Sequence, residues 1–201
     1  MEPLNFNQEY ILENDHVLLR PLTIDDAPNL LYFSLNEPNI WKYSLITAAG
    51  EEGLNNYLNI AVKARAEGKE YPFIVFDKRT NQYAGSTRFY DIQADYKTLQ
   101  LGYTWYGQKF QGTGLNKQCK YLILSFAFEQ LGQERVEFRA DNRNERSIAA
   151  MKSIGCKVDG ILRSNMPNRD EGRRDSIVLS ILRNEWFDEV KDALRQKIMI
   201  L

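Results

Sequence analysis

The sequence predicts an α+β fold: one mostly antiparallel, twisted sheet of about seven strands with helices on both faces. Two observations predict it. Two helical patterns come early and are followed by a run of strand patterns joined by short polar turns. The last part of the chain then alternates strands with helices. Because each amphipathic element buries one face against another layer, a single mixed sheet covered by helices is the natural packing.

Length and composition indicate a single globular domain. The 201 residues, 43% hydrophobic and 26% charged, predict one domain over residues 1–201 with its core at about 10–190. The formal net charge of −1 argues against a general nucleic-acid or anionic-membrane surface. No apolar run approaches the ~20 residues that span a bilayer. Two cysteines without metal-site spacing and a single histidine predict no metal and fit a reduced, cytoplasmic location.

The first half of the chain predicts two short strands, two helices and then three more strands. Thr23 is a predicted N-cap, because acidic residues follow it in a first helical turn. This helix ends before Pro38, and a second one ends before Gly68. Alternating apolar residues between polar turns predict the strands. The predicted elements are strands 10–13 and 16–22, a helix after Thr23, a helix over 49–66, and strands 72–76, 83–90 and 99–105.

The second half predicts a strongly apolar helix and then alternating strands and helices. Apolar residues of the helix over 115–131 share one stripe, as a core-facing helix requires. Asn144 is a predicted cap for a helix that ends at Gly155. The remaining predicted elements are strands 136–140, 156–162 and 176–182, and a C-terminal amphipathic helix over about 185–197.

Gly112 and Gly114 occupy the loop that leads from the strand ending at Trp105 into the apolar helix. Glycine frees the backbone of such a loop, and the first N–H groups of a helix have no internal partners and lie at the positive end of its dipole. This arrangement suits a bound phosphate. The alternative is a plain strand-to-helix turn, because glycines also mark any turn that needs a positive φ.

Several motifs, in the same order along the chain, resemble the GNAT N-acetyltransferase superfamily. The closest likeness is to its Rim-type branch, which contains ribosomal-protein N-terminal acetyltransferases. The resemblance covers about residues 10–190. The matching segments are Arg20-Pro-Leu-Thr23, Gln111-Gly-Thr-Gly114-Leu-Asn116, Asn144-Glu-Arg-Ser147, Ile154-Gly155-Cys156, Gly160-Ile-Leu-Arg163 and Arg174-Asp175-Ser176.

The resemblance implies that acetyl-CoA is the cosubstrate. By that resemblance the pyrophosphate lies on the glycine loop, which comprises Gln111, Gly112, Thr113, Gly114 and Asn116. Asn116 departs from the small residue of the family pattern, so its side chain either points away from the phosphates or donates to one. The backbone of Tyr103, Thr104 and Trp105 would pair with the amide arm and polarise the acetyl carbonyl. The side chains of Tyr103 and Trp105 face either the site or the core.

The resemblance also implies roles for two residues at the start of a later helix. Ser147 is the candidate acid that protonates the departing thiolate, in a first turn whose positive potential favours a thiolate. The alternative is that Ser147 serves the helix end alone. Asn144 can cap the helix and also hydrogen-bond the pantetheine arm.

The general base is open at this level. Many relatives have a glutamate where this chain has Gln100, and an amide cannot accept a proton as a carboxylate does. Asp91 or Tyr90 could act through water; an ordered-water route or an amine that binds neutral is equally open. Trp41, Phe89 and Tyr90 are candidate walls of an acceptor pocket, with a core position as the alternative.

The sequence therefore predicts an acetyl-CoA-dependent N-acetyltransferase that acts by direct transfer in a ternary complex. The acceptor is a primary amine, on either a protein N-terminus or a small molecule. No nucleic acid, membrane or metal is expected, and the protein is a monomer or homodimer. The alternative function is a non-catalytic acyl-CoA-binding sensor or interaction module, which the missing glutamate at position 100 keeps open.

Overall fold

The computed structural model describes residues 3–168 and 172–200. Its strands are β1 (Leu12–Glu13), β2 (Val17–Pro21), β3 (Tyr71–Asp77), β4 (Gln82–Gln93), β5 (Thr98–Tyr106), β6 (Arg135–Asp141), β7 (Lys157–Pro167) and β8 (Arg173–Leu182). Its helices are α1 (Ala27–Asn36), α2 (Gly50–Ala66), α3 (Leu115–Ser125), α4 (Glu145–Ser153), α5 (Arg183–Glu185) and α6 (Lys191–Met199). Wide π turns extend α3 over Phe126–Gln130 and join α5 to α6 over Trp186–Val190.

These strands form one eight-stranded sheet in the order β1-β2-β3-β4-β5-β6-β8-β7. Neighbouring strands are antiparallel except β5 and β6, which are parallel. This confirms the predicted fold class, and each of the eight strands corresponds to one of the predicted strand segments. The two-residue β1 pairs with β2 through Leu12 and Leu19, as the sequence predicts.

Alternate residues of β4 contact helices on opposite faces of the sheet. Ser86 lies 3.4 Å from the hydroxyl of Tyr57 on α2, whereas Thr87 accepts from Lys120 on α3. Phe89, two residues beyond Thr87, stacks on Phe126, which follows α3. Because side chains of a strand point to opposite faces in turn, α2 and α3 lie on opposite sides of the sheet.

The hairpin of β7 and β8 is longer than the sequence predicts. Met166 pairs with Arg174 and Pro167 with Arg173, beyond the predicted strand ends. Ser164, with φ 48°, interrupts the register. Most of β7 is exposed at the sheet edge, so its outer part needs no apolar alternation and the sequence pattern misses it.

The sheet opens between β5 and β6. The two strands pair only from Thr98 with Arg135 to Gln100 with Glu137, and both then continue without pairing to each other. β5 stays paired with β4 as far as Tyr106, so only its β6-facing edge is left open. Among the described residues, no helix is both long and apolar enough to span a bilayer.

Candidate functional site

The divergence of β5 from β6 leaves a cavity of about 760 Å³, which we call the β5–β6 cleft. Side chains and backbone from β5, β6, the glycine loop, α3 and α4 line it. The structure brings together here ten of the thirteen predicted site residues; Thr113, Trp41 and Phe89 do not line the cleft. The predicted residues that line the cleft are Tyr90, Tyr103, Thr104, Trp105, Gln111, Gly112, Gly114, Asn116, Asn144 and Ser147.

The glycine loop lies at one end of the cleft and directs the start of α3 into it. Gly112 and Gly114 have φ values of 75° and 87°, in the left-handed region that glycine adopts without strain. The Gln111 side chain donates to the carbonyl of Tyr106 at 2.8 Å, and the Thr113 hydroxyl donates to that of Phe110 at 2.8 Å. Gly114 is the N-cap of α3, so unpaired N–H groups meet at this end of the cleft.

Thr113 differs from its neighbours in the loop. It lies against a smaller hollow on the outer side, lined also by Asp77, Arg79 and Lys109. Its hydroxyl is used within the loop, because it donates to Phe110. Thr113 therefore shapes the loop and does not face the cleft with its side chain.

Two cations beside the loop were missed at the sequence level. Lys117, in the first turn of α3, and Arg146, in the first turn of α4, both line the cleft. Arg146 donates to the side-chain oxygen of Gln111 and so ties α4 to the loop. The available signal was position alone, since both residues stand within a turn of a predicted helix start. Together with the helix dipole they make this end of the cleft positive.

A bulge in β5 lies deeper in the cleft. Tyr103 has φ 48°, and the pairing of β5 with β4 shifts register around it. The Tyr103 ring covers the Arg88 guanidinium at 4.3 Å and meets the Tyr90 ring edge-on at 5.0 Å. A Cβ on Gly102 would lie 2.7 Å from the Tyr90 ring, so only glycine fits beside that ring. Burial raises the pKa of both tyrosine hydroxyls, so both are neutral at physiological pH.

The start of α4 forms the opposite wall. The Asn144 side chain accepts from the Ser147 N–H at 3.2 Å, which confirms its predicted cap role. Ser147 itself lines the cleft, and its hydroxyl has no hydrogen-bond partner in the described part of the chain. The cap is thus supplied by Asn144, and the Ser147 hydroxyl is available to a ligand.

Residues 16–157 match the family model for the "Acetyltransferase (GNAT) domain". The chain belongs to the GNAT acetyltransferase family. The match covers strands β2 to β6, the glycine loop and α4, so it includes nearly every wall of the cleft. GNAT acetyltransferases bind acetyl-CoA and an amine acceptor, and acetyl transfer is the activity class of this chain.

Named relatives agree with the GNAT assignment over most of the chain. N-acetyltransferase p20 of Bacillus licheniformis, whose name marks it as uncharacterized, is 23% identical over 177 residues, covering 87% of this chain and 97% of its own. YdaF of Bacillus subtilis (strain 168), whose name describes a ribosomal N-acetyltransferase, is 24% identical and covers 88% and 96%. A crystal structure from T. thermophilus, named for an acetyltransferase, superposes with a TM-score of 0.82 at 32% identity, covering 93% and 96%.

The carboxylate of Asp91, one of the alternatives left open for the general base, also lines the cleft. Gln100 donates to the Asp91 carboxylate at 2.6 Å, and both residues line the cleft. Asp91 has φ 46°, at the point where β4 bulges away from β5. The bulge moves the Asp91 carboxylate next to Gln100, where many relatives have a glutamate.

Two of the three candidate acceptor-pocket residues are core residues. Trp41 is 1% exposed and packs on Trp105, and Phe89 is fully buried between Phe73 and Phe126. Neither lines the cleft, because burial of a large apolar ring in the core is more favourable in free energy than its exposure to water in the cleft. Tyr90 does line it, together with the loop that follows α1. That loop contributes Ile40, Tyr43, Ser44 and Leu45.

Both cysteines are buried and outside the cleft lining. Burial raises the pKa of Cys119 to about 12 and raises that of Cys156 as well, so both thiols are neutral. No group of three or more candidate metal ligands occurs in the part of the chain that the structure describes.

Proposed function

We propose that this GNAT protein transfers an acetyl group from acetyl-CoA directly to a primary amine, in a ternary complex. The observation that carries the proposal is the open edge of β5. It runs from the glycine loop to the carboxylate of Asp91 along one continuous cleft. A phosphate-binding end, an extended backbone edge and a candidate base thus lie in the order that acetyl transfer along a thioester arm requires.

In this proposal the glycine loop holds the pyrophosphate. Gly112, Gly114 and Asn116 line this end of the cleft, and Lys117 and Arg146 add positive charge. The open backbone edge of Thr104 and Trp105 can pair with the amide groups of the pantetheine arm. Pairing of this kind places an extended ligand as an added strand.

The Tyr103 bulge supports the chemistry, because the backbone of residues 102–104 lines the cleft there without the regular pairing to β4. A backbone N–H of this segment would polarise the thioester carbonyl. Acetyl-CoA supplies the activated acetyl group, and the chain supplies binding, orientation and proton handling. The Ser147 hydroxyl, which lacks a partner among the described residues, would give a proton to the departing sulfur.

Asp91 is the proposed base. Its carboxylate is held by Gln100 at 2.6 Å and by Gln93 at 2.8 Å. The Asp91 side chain is exposed at the cleft, so a bridging water has room to relay the proton of the attacking amine. Gln100 thus positions the carboxylate that it does not itself provide.

Direct transfer is favoured over an acetyl-enzyme, because both cysteines are buried, neutral and outside the cleft lining. A covalent route would need a nucleophile that faces the thioester.

The acceptor is a primary amine on a protein N-terminus or a small molecule. The name of the relative YdaF, which describes a ribosomal N-acetyltransferase, supports the inclusion of ribosomal proteins among the candidate acceptors. Polyamines, amino acids and aminated drugs complete the set. We expect one class to be acetylated far faster than the others.

The test has two stages. Calorimetric titration with acetyl-CoA is expected to saturate at one site per chain. Incubation with a panel of amines and peptides is then expected to release free coenzyme A together with an acetylated product. Absence of saturable binding would refute the proposed function. Binding without turnover on any acceptor would favour the second candidate, a non-catalytic acyl-CoA sensor.

A further inference from the structure

Lys120 is a buried amine beside the cleft that the proposed chemistry does not use. It lies on α3 and is only 4% exposed. Its Nζ donates to the Thr104 hydroxyl at 2.9 Å and to the Thr87 hydroxyl at 3.3 Å. The two hydroxyls are themselves 2.7 Å apart, and Lys120 belongs to the cleft lining.

This amine has no anionic partner in the described part of the chain. Among residues 3–168 and 172–200 no carboxylate lies within salt-bridge distance of it, and the centroid of the Phe138 ring is 6.0 Å from its Nζ. The neighbouring thiols of Cys119 and Cys156 are neutral, because burial raises the pKa of both. Burial lowers the pKa of Lys120 to about 8, so most molecules carry its charge at neutral pH.

The position of Lys120 is linked to the reacting end of the cleft through Thr104. Thr104 is exposed to the cleft and follows directly after the Tyr103 bulge. In the proposed function the thioester lies against this bulge. The Lys120 ammonium therefore lies on the α3 side of the sheet, just below the strand residue that the thioester would contact.

We propose that the Lys120 ammonium stabilises the coenzyme A thiolate that acetyl transfer releases. In that step the amine nitrogen bonds to the carbonyl carbon, the carbon–sulfur bond breaks, and its electron pair stays on sulfur. The proton of the amine leaves through the base, and the thiolate then takes a proton from Ser147, as in the proposed function. Lys120 forms no bond and donates its charge alone. This inference rests on the proposed function, since it requires coenzyme A in the cleft.

If Lys120 had a purely structural role, its replacement by methionine would destabilise the protein. The proposed role predicts no loss of stability. A buried cation without a carboxylate partner is unfavourable, and an apolar side chain of similar length would replace it at no loss of stability. An ammonium at this position is favourable when a negative charge forms next to it during the reaction, because the two charges attract. Lys120→Met should therefore fold at least as stably as the wild type and yet lose activity.

The experiment measures the ionisation of the bound thiol directly. The ultraviolet absorbance of a thiolate is followed against pH for the coenzyme A complex, with the desulfo-coenzyme A complex subtracted to remove tyrosine signals. In the wild type we expect the bound thiol to titrate about one pH unit or more below free coenzyme A, as a nearby cation produces. In Lys120→Met this shift should disappear.

Gln118→Met is the matched control. Gln118 is buried on the same helix and bonds to Asn14 and to the carbonyl of Ile198, outside the cleft lining. It should keep the wild-type thiol titration. For Lys120→Met we also expect kcat about tenfold lower or more with KM for acetyl-CoA unchanged, because the interaction forms only as charge develops.

An unshifted thiol in the wild-type complex would overturn the inference without any variant. Equal shifts in the wild type and Lys120→Met would overturn it too, and in both cases acetyl transfer could still occur. Absence of coenzyme A binding to the wild type would instead overturn the proposed function, and this inference with it.

Discussion

The Gln100 amide donates to the Asp91 carboxylate at 2.6 Å, across the bulge where β4 leaves β5. The chain thus has an amide on the strand position that is a glutamate in many GNAT relatives, and a carboxylate from the neighbouring strand beside it. In the proposed function, Asp91 on β4 takes the role of base, and Gln100 on β5 positions its carboxylate.

Asp91→Asn tests this role. We expect kcat/KM to fall about a hundredfold or more, as for loss of a general base, while acetyl-CoA affinity stays unchanged. Asp95→Asn, in the turn that follows β4, is the control and should behave as the wild type. Initial rates against pH are the measurement. Full activity of Asp91→Asn would exclude Asp91 as the base. The amine would then lose its proton through ordered water or would bind in its neutral form.

Ser147→Ala separates catalysis from capping. The Ser147 N–H still donates to Asn144 in this variant, so the midpoint of thermal unfolding should not change. We expect kcat to fall about tenfold or more through loss of the proton donor. Asn144→Ala should instead destabilise the protein by ~1 kcal/mol, because it removes the cap of α4. Unchanged turnover of Ser147→Ala would remove Ser147 from the mechanism.

Gly102→Ala tests the fit between the bulge and Tyr90. The new Cβ would lie 2.7 Å from the Tyr90 ring, so we expect a loss of ~1–3 kcal/mol in unfolding free energy and impaired turnover. Gly160→Ala is the control, because nothing lies within 4 Å of its Cβ position. Denaturant unfolding of both variants measures the difference. Equal stabilities would mean that the Tyr90 ring moves aside freely.

Gly112→Ala tests the glycine loop as the phosphate site. Gly112 has φ 75° and open space around its Cβ position, so alanine acts through backbone strain alone. Gly50, at the start of α2, has the same φ of 75° and the same open space. Gly50→Ala should lose stability and keep coenzyme A binding. In Gly112→Ala the free loop can relieve its strain, so binding must restore it; ~1.4 kcal/mol of restored strain weakens binding about tenfold. Calorimetry on the pair decides it.

The stability of the protein against pH should report on Lys120. Its pKa is lowered to about 8 in the folded protein, below the ordinary value of 10.5. Between these values the unfolded chain holds a proton that the folded chain has released, so unfolding free energy rises with pH. The stability advantage of Lys120→Met over the wild type should therefore be greatest below pH 8 and shrink above it. Unfolding of both proteins across that range measures it; a constant difference would contradict the lowered pKa.

The sequence by itself determined the elements and the order of the motifs. Apolar periodicity is a local property, so it predicted the helices and most strands, and the glycine loop and the Asn144 cap followed from local backbone chemistry. The family resemblance then predicted that the glycine loop and the helix start at Asn144 belong to one site. Trp41 and Phe89 were less accessible to this reasoning, because an aromatic ring suits a core as well as a pocket.

Only the tertiary structure shows where the Asp91 carboxylate and the buried Lys120 amine lie relative to the cleft. Asp91 reaches Gln100 because two bulges shift the register between β4 and β5, and such shifts leave no periodic trace in the sequence. Lys120 looked like one more polar residue of a helix; packing of α3 on the sheet placed it under Thr104 without an anionic partner in the described residues. Both depend on contacts between neighbouring elements, Asp91 with Gln100 across two strands and Lys120 with Thr104 from helix to strand, which a periodic pattern within one element does not encode.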